Sequence, residues 1–266
     1  MTTNAPTYLL DNAAAQAPAR LAALTDMFDA TTRRHLLDRG IGPGWRCLEV
    51  GGGNGSVARW LAERVLPDGD VLVTDLDTRY LDTLSIPNLE VQRHDIVTAR
   101  LPESTFDLVH VRLVLVHLRE WAQVLQQLVA ALKPGGWLVA EEFDSDSLPP
   151  SPTANPGEVL LEMHMGVARL MADHGFDRRF GRRLFGRLRG AGLIDVGAEG
   201  RVQMLHCESA GVALIRANAQ QLRGELINAG YATASQIDRD LARMEEPDFM
   251  MPSSTLWSAW GRRPAT

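Results

Sequence analysis

Between Trp45 and Asp144, short apolar runs alternate with stretches of helical periodicity. The runs lie at 46–50 (RCLEV), 70–75 (DVLVTD), 89–93 (LEVQR), 106–111 (FDLVHV) and 136–142 (GWLVAEE). Strands that alternate with helices are typical of βαβ units, in which right-handed crossovers join parallel strands and cover both faces of the sheet. The sequence therefore predicts an α/β fold built on a doubly wound, mostly parallel sheet.

Helical periodicity continues outside this region, over 8–40, near 158–174 and over 209–246, where Ser235 and Asp238 have the spacing of a capping box. A stretch rich in proline and serine at 145–157 predicts a linker. We therefore divide the chain into an N-terminal helical cover (1–44), a sheet core (45–144) and a segment that completes the sheet and adds helical insertions (145–266).

The first strand ends in a glycine-rich turn, EVGGGNGS, and the second ends at Asp75. Glycines let a ligand approach the backbone closely, and ligands of such sheets bind beyond the carboxyl ends of the strands. A carboxylate at that edge can accept hydrogen bonds from two ribose hydroxyls. Dinucleotide-binding turns are similar, but they have a third glycine where this chain has Ser56. An NAD-dependent oxidoreductase is therefore disfavoured and kept as an alternative.

Four motifs, in order, make residues 45–144 resemble the core of class I S-adenosylmethionine-dependent methyltransferases, especially small-molecule members of the UbiE/type-11 kind. They are the acidic glycine-rich motif from Glu49 to Gly55, the ribose acid Asp75, the acid Asp95 in RHDI, and LKPGG at 132–136, the turn before the fifth strand. The resemblance implies a Rossmann-like, seven-stranded sheet with a terminal antiparallel strand. Runs near 193–203 and 254–263 would complete it, with helical N-terminal and C-terminal insertions. By the same resemblance, 45–144 would bind S-adenosylmethionine and the helical insertions of 145–266 would bind the substrate.

For the methionine end of S-adenosylmethionine, the resemblance implies contacts with Gly51 and Gly53, while Gly55 permits the tight turn. Arg112 would pair with the methionine carboxylate. Glu49 belongs to the same motif; it either contributes to cofactor binding or only braces the turn through backbone N–H groups.

For the adenosine end, the resemblance implies that Asp75 holds the ribose. Leu76 and Ile96 would enclose the adenine, and Asp95 would accept a hydrogen bond from its amine. Tyr8 falls where many relatives place an N-terminal aromatic ring over the cofactor.

Two polar residues near the predicted strand ends are candidate catalytic residues. His117 follows the fourth strand and is either a general base or a hydrogen-bonded structural histidine. Glu142 ends the fifth strand together with Glu141 and Asp144, and we expect these carboxylates to face the crevice, where any of them can orient a substrate. The spacing of the histidines identifies no metal site.

Charge and cysteine content limit the partners and the compartment. The net charge is −6, which argues against nucleic-acid binding, although the run at 177–190 contains six arginines. Its apolar stripe, Phe180, Leu184, Phe185 and Leu188, favours an amphipathic helix over a docking site for an anionic substrate, which stays an alternative. Two cysteines far apart in the sequence and no membrane segment predict a cytoplasmic protein. Monomer and homo-oligomer are both left open.

The segment after the fourth strand, HVRLVL, lacks the N/D-P-P-Y/F motif of amino methyltransferases that act on nucleic-acid bases. The sequence also has no Pro-Cys pair, which the cytosine-C5 methyltransferases use as their nucleophile. The resemblance, taken together with these two absences, implies methyl transfer from S-adenosylmethionine to oxygen, nitrogen or carbon of a small molecule, with natural-product intermediates as the favoured acceptors. A cofactor-binding protein without transferase activity is the second alternative.

Overall fold

The structure, a computed structural model, describes residues 9–147 and 161–265, so Tyr8 lies outside the described residues. The helices in this part of the chain are α1 (Ala17–Asp38), α2 (Ser56–Arg64), α3 (Trp121–Ala131), α4 (Glu162–Asp173), α5 (Phe180–Gly190), α6 (Ala210–Gln221), α7 (Arg223–Asn228) and α8 (Ala234–Arg243). The strands are β1 (Arg46–Val50), β2 (Asp70–Asp75), β3 (Leu89–Arg93), β4 (Phe106–Arg112), β5 (Leu132–Asp144), β6 (Ile194–Arg201), β7 (Met204–His206), β8 (Met250–Pro252) and β9 (Thr255–Arg262).

Seven of the described strands form one sheet in the order β3-β2-β1-β4-β5-β9-β6. The neighbours from β3 to β5 pair in parallel, and β9 pairs with β6 in antiparallel register. Strand order reverses beside β1, because the chain runs outward to β3 and then returns to β4. The predicted α/β sheet, mostly parallel with an antiparallel strand, is confirmed.

Apolar side chains of the central strands and their flanking helices form the core of this sheet. Leu36 of α1 and Leu61 of α2 pack in one cluster with Cys47 of β1 and Leu108 of β4, all with no exposed surface. Coverage by helices explains why these strands lack the alternating polar positions of a half-exposed sheet.

The sequence predicts that LKPGG forms a turn before the fifth strand. In the structure this segment belongs to β5. Phe106 pairs with Leu132 and Leu108 with Trp137, so an irregularity with extra residues lies in β5. Gly135 adopts a φ of 83° there, and its N–H donates to the carbonyl of Arg263. The segment is a bulge within the sheet, held from the β9 side.

The chain forms two compact units whose segments alternate along the sequence. The sheet unit contains Phe28–Asp144, Arg179–Arg201 and the chain from Leu256; the helical unit contains the described parts of Met1–Met27, Ser145–Arg178 and Val202–Thr255. Helix α1 begins in the helical unit and ends in the sheet unit. The sequence-based division and this one share the boundary between Asp144 and Ser145.

The helical unit contains α4, α6, α7 and α8, and the pair β7–β8, which the sequence did not predict. The predicted helical stretch 209–246 contains three helices, and Gly230, with a φ of 70°, lies between the second and the third. The capping box at Ser235 and Asp238 is wrong. Thr233 caps α8: its Oγ1 accepts from the N–H of Gln236, whose Oε1 accepts from the N–H of Thr233 at 2.7 Å.

The arginine-rich run forms α5 in the sheet unit. Phe180, Leu184 and Leu188 are buried, as predicted, but Phe185 is 41% exposed and does not belong to the packed stripe. None of the described helices combines the length and apolar character that a membrane span requires.

Candidate functional site

The turn after β1 reverses the chain into α2 through three glycines with positive φ. The φ angles of Gly51, Gly53 and Gly55 are 75°, 55° and 77°, a region that side chains with a Cβ rarely adopt. The N–H groups of Gly51 and Gly52 donate to the carbonyl of Thr74 in β2, at 2.8 and 3.1 Å. The turn is thereby fixed to the carboxyl end of the neighbouring strand.

Asp75, at the end of β2, contacts this turn directly. Its Oδ2 accepts from the N–H of Gly53 at 3.0 Å, and its Oδ1 accepts from the N–H of Asp77 at 3.1 Å. Burial raises the pKa of the Asp75 carboxyl, and the backbone hydrogen bonds offset part of that effect. The structure therefore brings together the acid and the glycines that the sequence singled out.

The segment after β4 lies over the turn. A Cβ on Gly51 would stand 2.3 Å from Cγ2 of Val114, which shows how closely the valine covers the glycine. Leu113 has a φ of 57°, a conformation that costs a non-glycine residue about 1–3 kcal/mol. Such strain persists only where neighbouring groups hold the backbone in place.

Glu142 is one of those groups. Its Oε1 accepts from the N–H groups of Val114 at 3.1 Å and Leu115 at 2.8 Å. Its Oε2 is enclosed without a hydrogen-bond partner among the described residues. Burial raises the pKa of Glu142 to about 8, although the backbone donors act in the opposite direction. The side chain is therefore mostly a neutral carboxylic acid at neutral pH.

The carboxylates at the end of β5 do not face an open crevice, contrary to expectation. Glu141 and Glu142 have no exposed surface, and Asp144 is 1% exposed. Glu141 contacts His110, and Asp144 accepts from Nη2 of Arg182 at 2.8 Å. These partners were missed because they are distant in the sequence. Glu142 is buried and accepts from backbone N–H groups after β4, so it supports that segment rather than orienting a substrate by direct contact.

Glu49 pairs with a residue that the sequence analysis overlooked. Its Oε2 lies 2.6 Å from Nδ1 of His110, and both side chains are buried. The two residues are direct partners in the β1–β4 register, so a charged pair in adjacent apolar strands was the available signal. The described geometry makes His110, rather than a series of turn N–H groups, the neighbour of this carboxylate.

Arg112 points its guanidinium at α1. Its Nη2 donates to Oδ1 of Asp29 at 3.0 Å and its Nη1 to Oγ1 of Thr32 at 2.9 Å. A cofactor carboxylate would have to compete with Asp29 for this side chain. The expected pairing with methionine therefore has a rival within the protein itself.

The residues expected at the adenine lie after β2 and β3. Leu76 is 56% exposed, whereas Ile96 is buried. Asp95 caps a turn: Oδ1 accepts from the N–H of Val97 at 3.0 Å and Oδ2 from the hydroxyl of Thr98 at 2.8 Å. Leu76 offers an apolar surface beside Asp75, while Asp95 already has local donors.

His117 ends a short 3-10 helix, Leu115–His117, directly after the segment that covers Gly51. The side chain is half-buried, and the backbone N–H donates to the carbonyl of Val114 at 3.1 Å. The imidazole is therefore attached to the same segment that Glu142 holds.

A doubly wound sheet whose first strand ends in a glycine-rich turn, with an acid at the end of the next, defines a Rossmann-like protein built to bind a nucleotide cofactor. The sequence profile of a family described as a methyltransferase domain matches residues 10–198. The chain belongs to this methyltransferase family.

Relatives agree with this assignment. A methyltransferase of Strobilurus tenacellus, str3, is 30% identical over 160 residues, covering 58% of this chain and 54% of its own. The ubiquinone/menaquinone biosynthesis C-methyltransferase UbiE of Laribacter hongkongensis is 35% identical over 125 residues, covering 44% and 50%. This chain thus spans about half the length of the curated relatives it matches. The crystal structure of the YcgJ protein from Bacillus subtilis shares the fold, with a TM-score of 0.61 at 14% identity and coverage of 89% and 99%.

Proposed function

We propose that this protein transfers a methyl group from S-adenosylmethionine to a small-molecule acceptor. The observation that carries the proposal is the contact between Asp75 and Gly53, which joins a buried carboxylate to a glycine-rich turn at the carboxyl edge of the sheet. Membership of a methyltransferase family supports the same chemistry.

The residues of this edge fit such a cofactor. Gly51 has no side chain where Val114 covers the turn, and a Cβ there would lie 2.3 Å from Cγ2 of that valine. Gly51 and Gly53 would border the methionine part, Asp75 would hold the ribose, and the exposed Leu76 would contact the adenine. S-adenosylmethionine supplies an electrophilic methyl group on a sulfonium.

The protein's own contribution is chiefly alignment and exclusion of water, because an in-line displacement depends on how the two reactants are oriented. We assign His117 as the base for acceptors that lose a proton, and Glu142 as the residue that fixes the segment carrying it. Glu49, Asp95, Ile96 and Arg112 complete the proposed cofactor site, Arg112 through its hold on α1.

The acceptor is proposed to be a small biosynthetic intermediate, with natural products as the favoured class. The name of one relative supports a small biosynthetic intermediate, since UbiE is a C-methyltransferase of ubiquinone and menaquinone biosynthesis. An anionic acceptor finds little support on α5, because Arg182 pairs with Asp144 and Arg187 stacks over Trp121 and Phe180. We place the reaction in the cytoplasm, which suits the free cysteines Cys47 and Cys207.

Calorimetry with S-adenosylmethionine, S-adenosylhomocysteine and NAD tests the cofactor, and a screen of phenols, amines and quinones with radiolabelled methyl donor tests the transfer. Binding of the first two ligands and labelling of an acceptor are expected. Binding of NAD alone would favour the oxidoreductase instead. Binding of S-adenosylmethionine without labelling of any acceptor would favour a non-catalytic protein.

A further inference from the structure

His110 lies in the middle of β4, without exposed surface, and has a carboxylate at each ring nitrogen. Nδ1 is 2.6 Å from Oε2 of Glu49, and Nε2 is 3.4 Å from Oε2 of Glu141. Only the imidazolium form donates from both nitrogens. Burial alone lowers the pKa of His110, but the two carboxylates outweigh it and raise that pKa to about 9. His110 is therefore a cation at neutral pH.

The second carboxylate continues the chain of hydrogen bonds into α1. Glu141 accepts from the hydroxyl of Ser258 at 2.5 Å and from the hydroxyl of Thr32. Thr32 in turn accepts from Arg112, which pairs with Asp29. One continuous set of contacts thus joins β1, β4, β5 and β9 to the part of α1 that lies in the sheet unit.

The charged and titratable groups around His110 are Glu49 from β1, Arg112 from β4, Glu141 from β5, and Asp29, Arg34 and His35 from α1, whereas β9 contributes the hydroxyl of Ser258. Burial lowers the pKa of His35, which disfavours the charged form of this imidazole. The positive charge of His110, which lies between Glu49 and Glu141, lowers the pKa of Glu141 to about 2 despite its burial.

Packing alone does not account for such a cluster. Each buried ion loses much of its hydration, and apolar side chains of similar volume often give equal or greater stability. Removing one member, by contrast, leaves an uncompensated charge in the core. These energetics favour a cluster that fixes a particular geometry.

Both ends of the cluster border the proposed cofactor site. Glu49 lies two residues before Gly51, and its carbonyl accepts from the hydroxyl of Thr74, whose own carbonyl receives the N–H of Gly51. Arg112 lies two residues before Val114, which covers Gly51. The geometry points to His110 as a positioning residue that, by donating to Glu49 and Glu141 together, presets the glycine-rich turn for its cofactor and ties it to α1. The inference rests on the proposed function for the identity of the cofactor, but not for the order of the turn.

The charge of His110 is tested by NMR of its ring nitrogens in the ligand-free protein, assigned by loss of the signals in His110→Asn. We expect both nitrogens to show imidazolium chemical shifts at about pH 7.5. In Glu141→Gln, we expect the pKa of His110 to be at least about 1 lower than in the unaltered protein. A neutral ring at that pH would overturn the inference.

The positioning role is tested by hydrogen exchange across residues 46–56, again without ligand. His110→Asn is expected to exchange about tenfold or more faster in the turn, because local opening costs less when its support is lost. His174→Asn is the matched control, since His174 also hydrogen-bonds, to the carbonyl of Leu170, but belongs to the helical unit. Unchanged exchange in the turn would contradict the assignment. If His110→Asn does not fold, Glu141→Gln is measured and judged in the same way.

Affinity for S-adenosylhomocysteine, measured by calorimetry, is the third readout. Folded His110→Asn should bind about tenfold or more weakly, with His174→Asn unchanged. Wild-type affinity in the folded variant would reject the positioning role. If the unaltered protein does not bind this ligand at all, the proposed function fails, while the exchange measurement still decides the role of His110.

Discussion

Asp75 and Gly53 are joined by a hydrogen bond of 3.0 Å from the glycine N–H to the carboxylate, so the acid that ends β2 supports the turn that ends β1. Because the other oxygen accepts from Asp77, the carboxylate is oriented before any ligand arrives. A preoriented acceptor loses less conformational freedom on binding, which favours affinity.

Replacing Asp75 should separate its charge from its support of the turn. Asp75→Ala is expected to weaken S-adenosylhomocysteine binding by about tenfold or more, because hydrogen bonds to a charged acceptor contribute about 1.5–3 kcal/mol each. Asp75→Asn, which can still accept from Gly53, should retain more of the affinity. Calorimetry provides the measurement and Asp82→Asn, an exposed acid, the control. Equal affinity in all folded variants would remove Asp75 from the site.

Gly51→Ala should destabilise the folded protein for two separable reasons, the clash with Val114 and the positive φ. We expect a loss of more than about 1 kcal/mol in the free energy of unfolding, since the left-handed conformation alone costs about 1–2 kcal/mol. Adding Val114→Ala should recover the part due to the clash. Chemical denaturation measures both, with Gly186→Ala as control: Gly186 lies in α5 with open space around it, and alanine there should stabilise by about 0.5–1 kcal/mol. No recovery in the double variant would contradict the packing of Val114 on Gly51.

Glu142 should make stability depend on pH. Its folded pKa of about 8 lies above the usual 4.5, so between these values the folded state binds a proton that the unfolded state has lost. The contribution of Glu142 to stability is therefore full below about pH 4.5 and falls as the pH rises to about 8. Glu142→Gln should thus gain melting temperature relative to the unaltered protein from about pH 5 to about pH 9, by several degrees. Thermal unfolding tests this, and the exposed Glu63→Gln should show a constant difference; a constant difference for Glu142→Gln would show that the acid is ionised.

Arg112→Met should destabilise the sheet unit, because it leaves Asp29 buried without its closest partner. Breaking such a pair costs about 3–5 kcal/mol, and Arg33, 3.3 Å from Asp29, should keep the loss at the lower end. The double variant Asp29→Leu/Arg112→Met should recover stability and, if Arg112 acts by holding α1, affinity for S-adenosylhomocysteine. Recovered stability with persistently weak binding would instead support direct pairing of Arg112 with the methionine carboxylate.

His117→Ala should lower turnover of an acceptor that loses a proton by about a hundredfold, because a positioned base contributes at least that much. Affinity for S-adenosylhomocysteine should stay unchanged, since the loss is confined to proton transfer. Steady-state kinetics and calorimetry separate the two quantities, and His206→Ala, in β7, is the control. Near-native turnover would show that alignment alone carries the reaction.

The sheet was predictable because each strand depends on its own short apolar run. β1, β2 and β3 have the boundaries that the runs gave, and β4 differs by one residue. The end of β5 was harder: the acids of EEFD look like groups facing solvent in the sequence, but Glu141 and Asp144 find partners on β4, α1 and α5. Contacts between residues so distant in the chain leave no local signal.

Predictions of local structure failed for a different reason. Ser235 and Asp238 satisfy the spacing of a capping box, but Thr233 and Gln236 satisfy it too, and with the better N3 residue. β7 and β8, three residues each, are too short to produce a recognisable period. The sequence pointed to Asp75 and Gly53 separately, and the structure brings them into contact because parallel strands place their carboxyl ends at one edge.

The position of β9 between β5 and β6 has a consequence for synthesis on the ribosome. Translation delivers both neighbours before the strand that separates them, so the nascent sheet passes through a stage with two unpaired edges. Such edges recruit strands from other chains, and chaperones are recruited to them for the same reason. A destabilising substitution in residues 255–262 would therefore affect the interior of the sheet. It would also prolong the stage in which the nascent chain is most prone to aggregation.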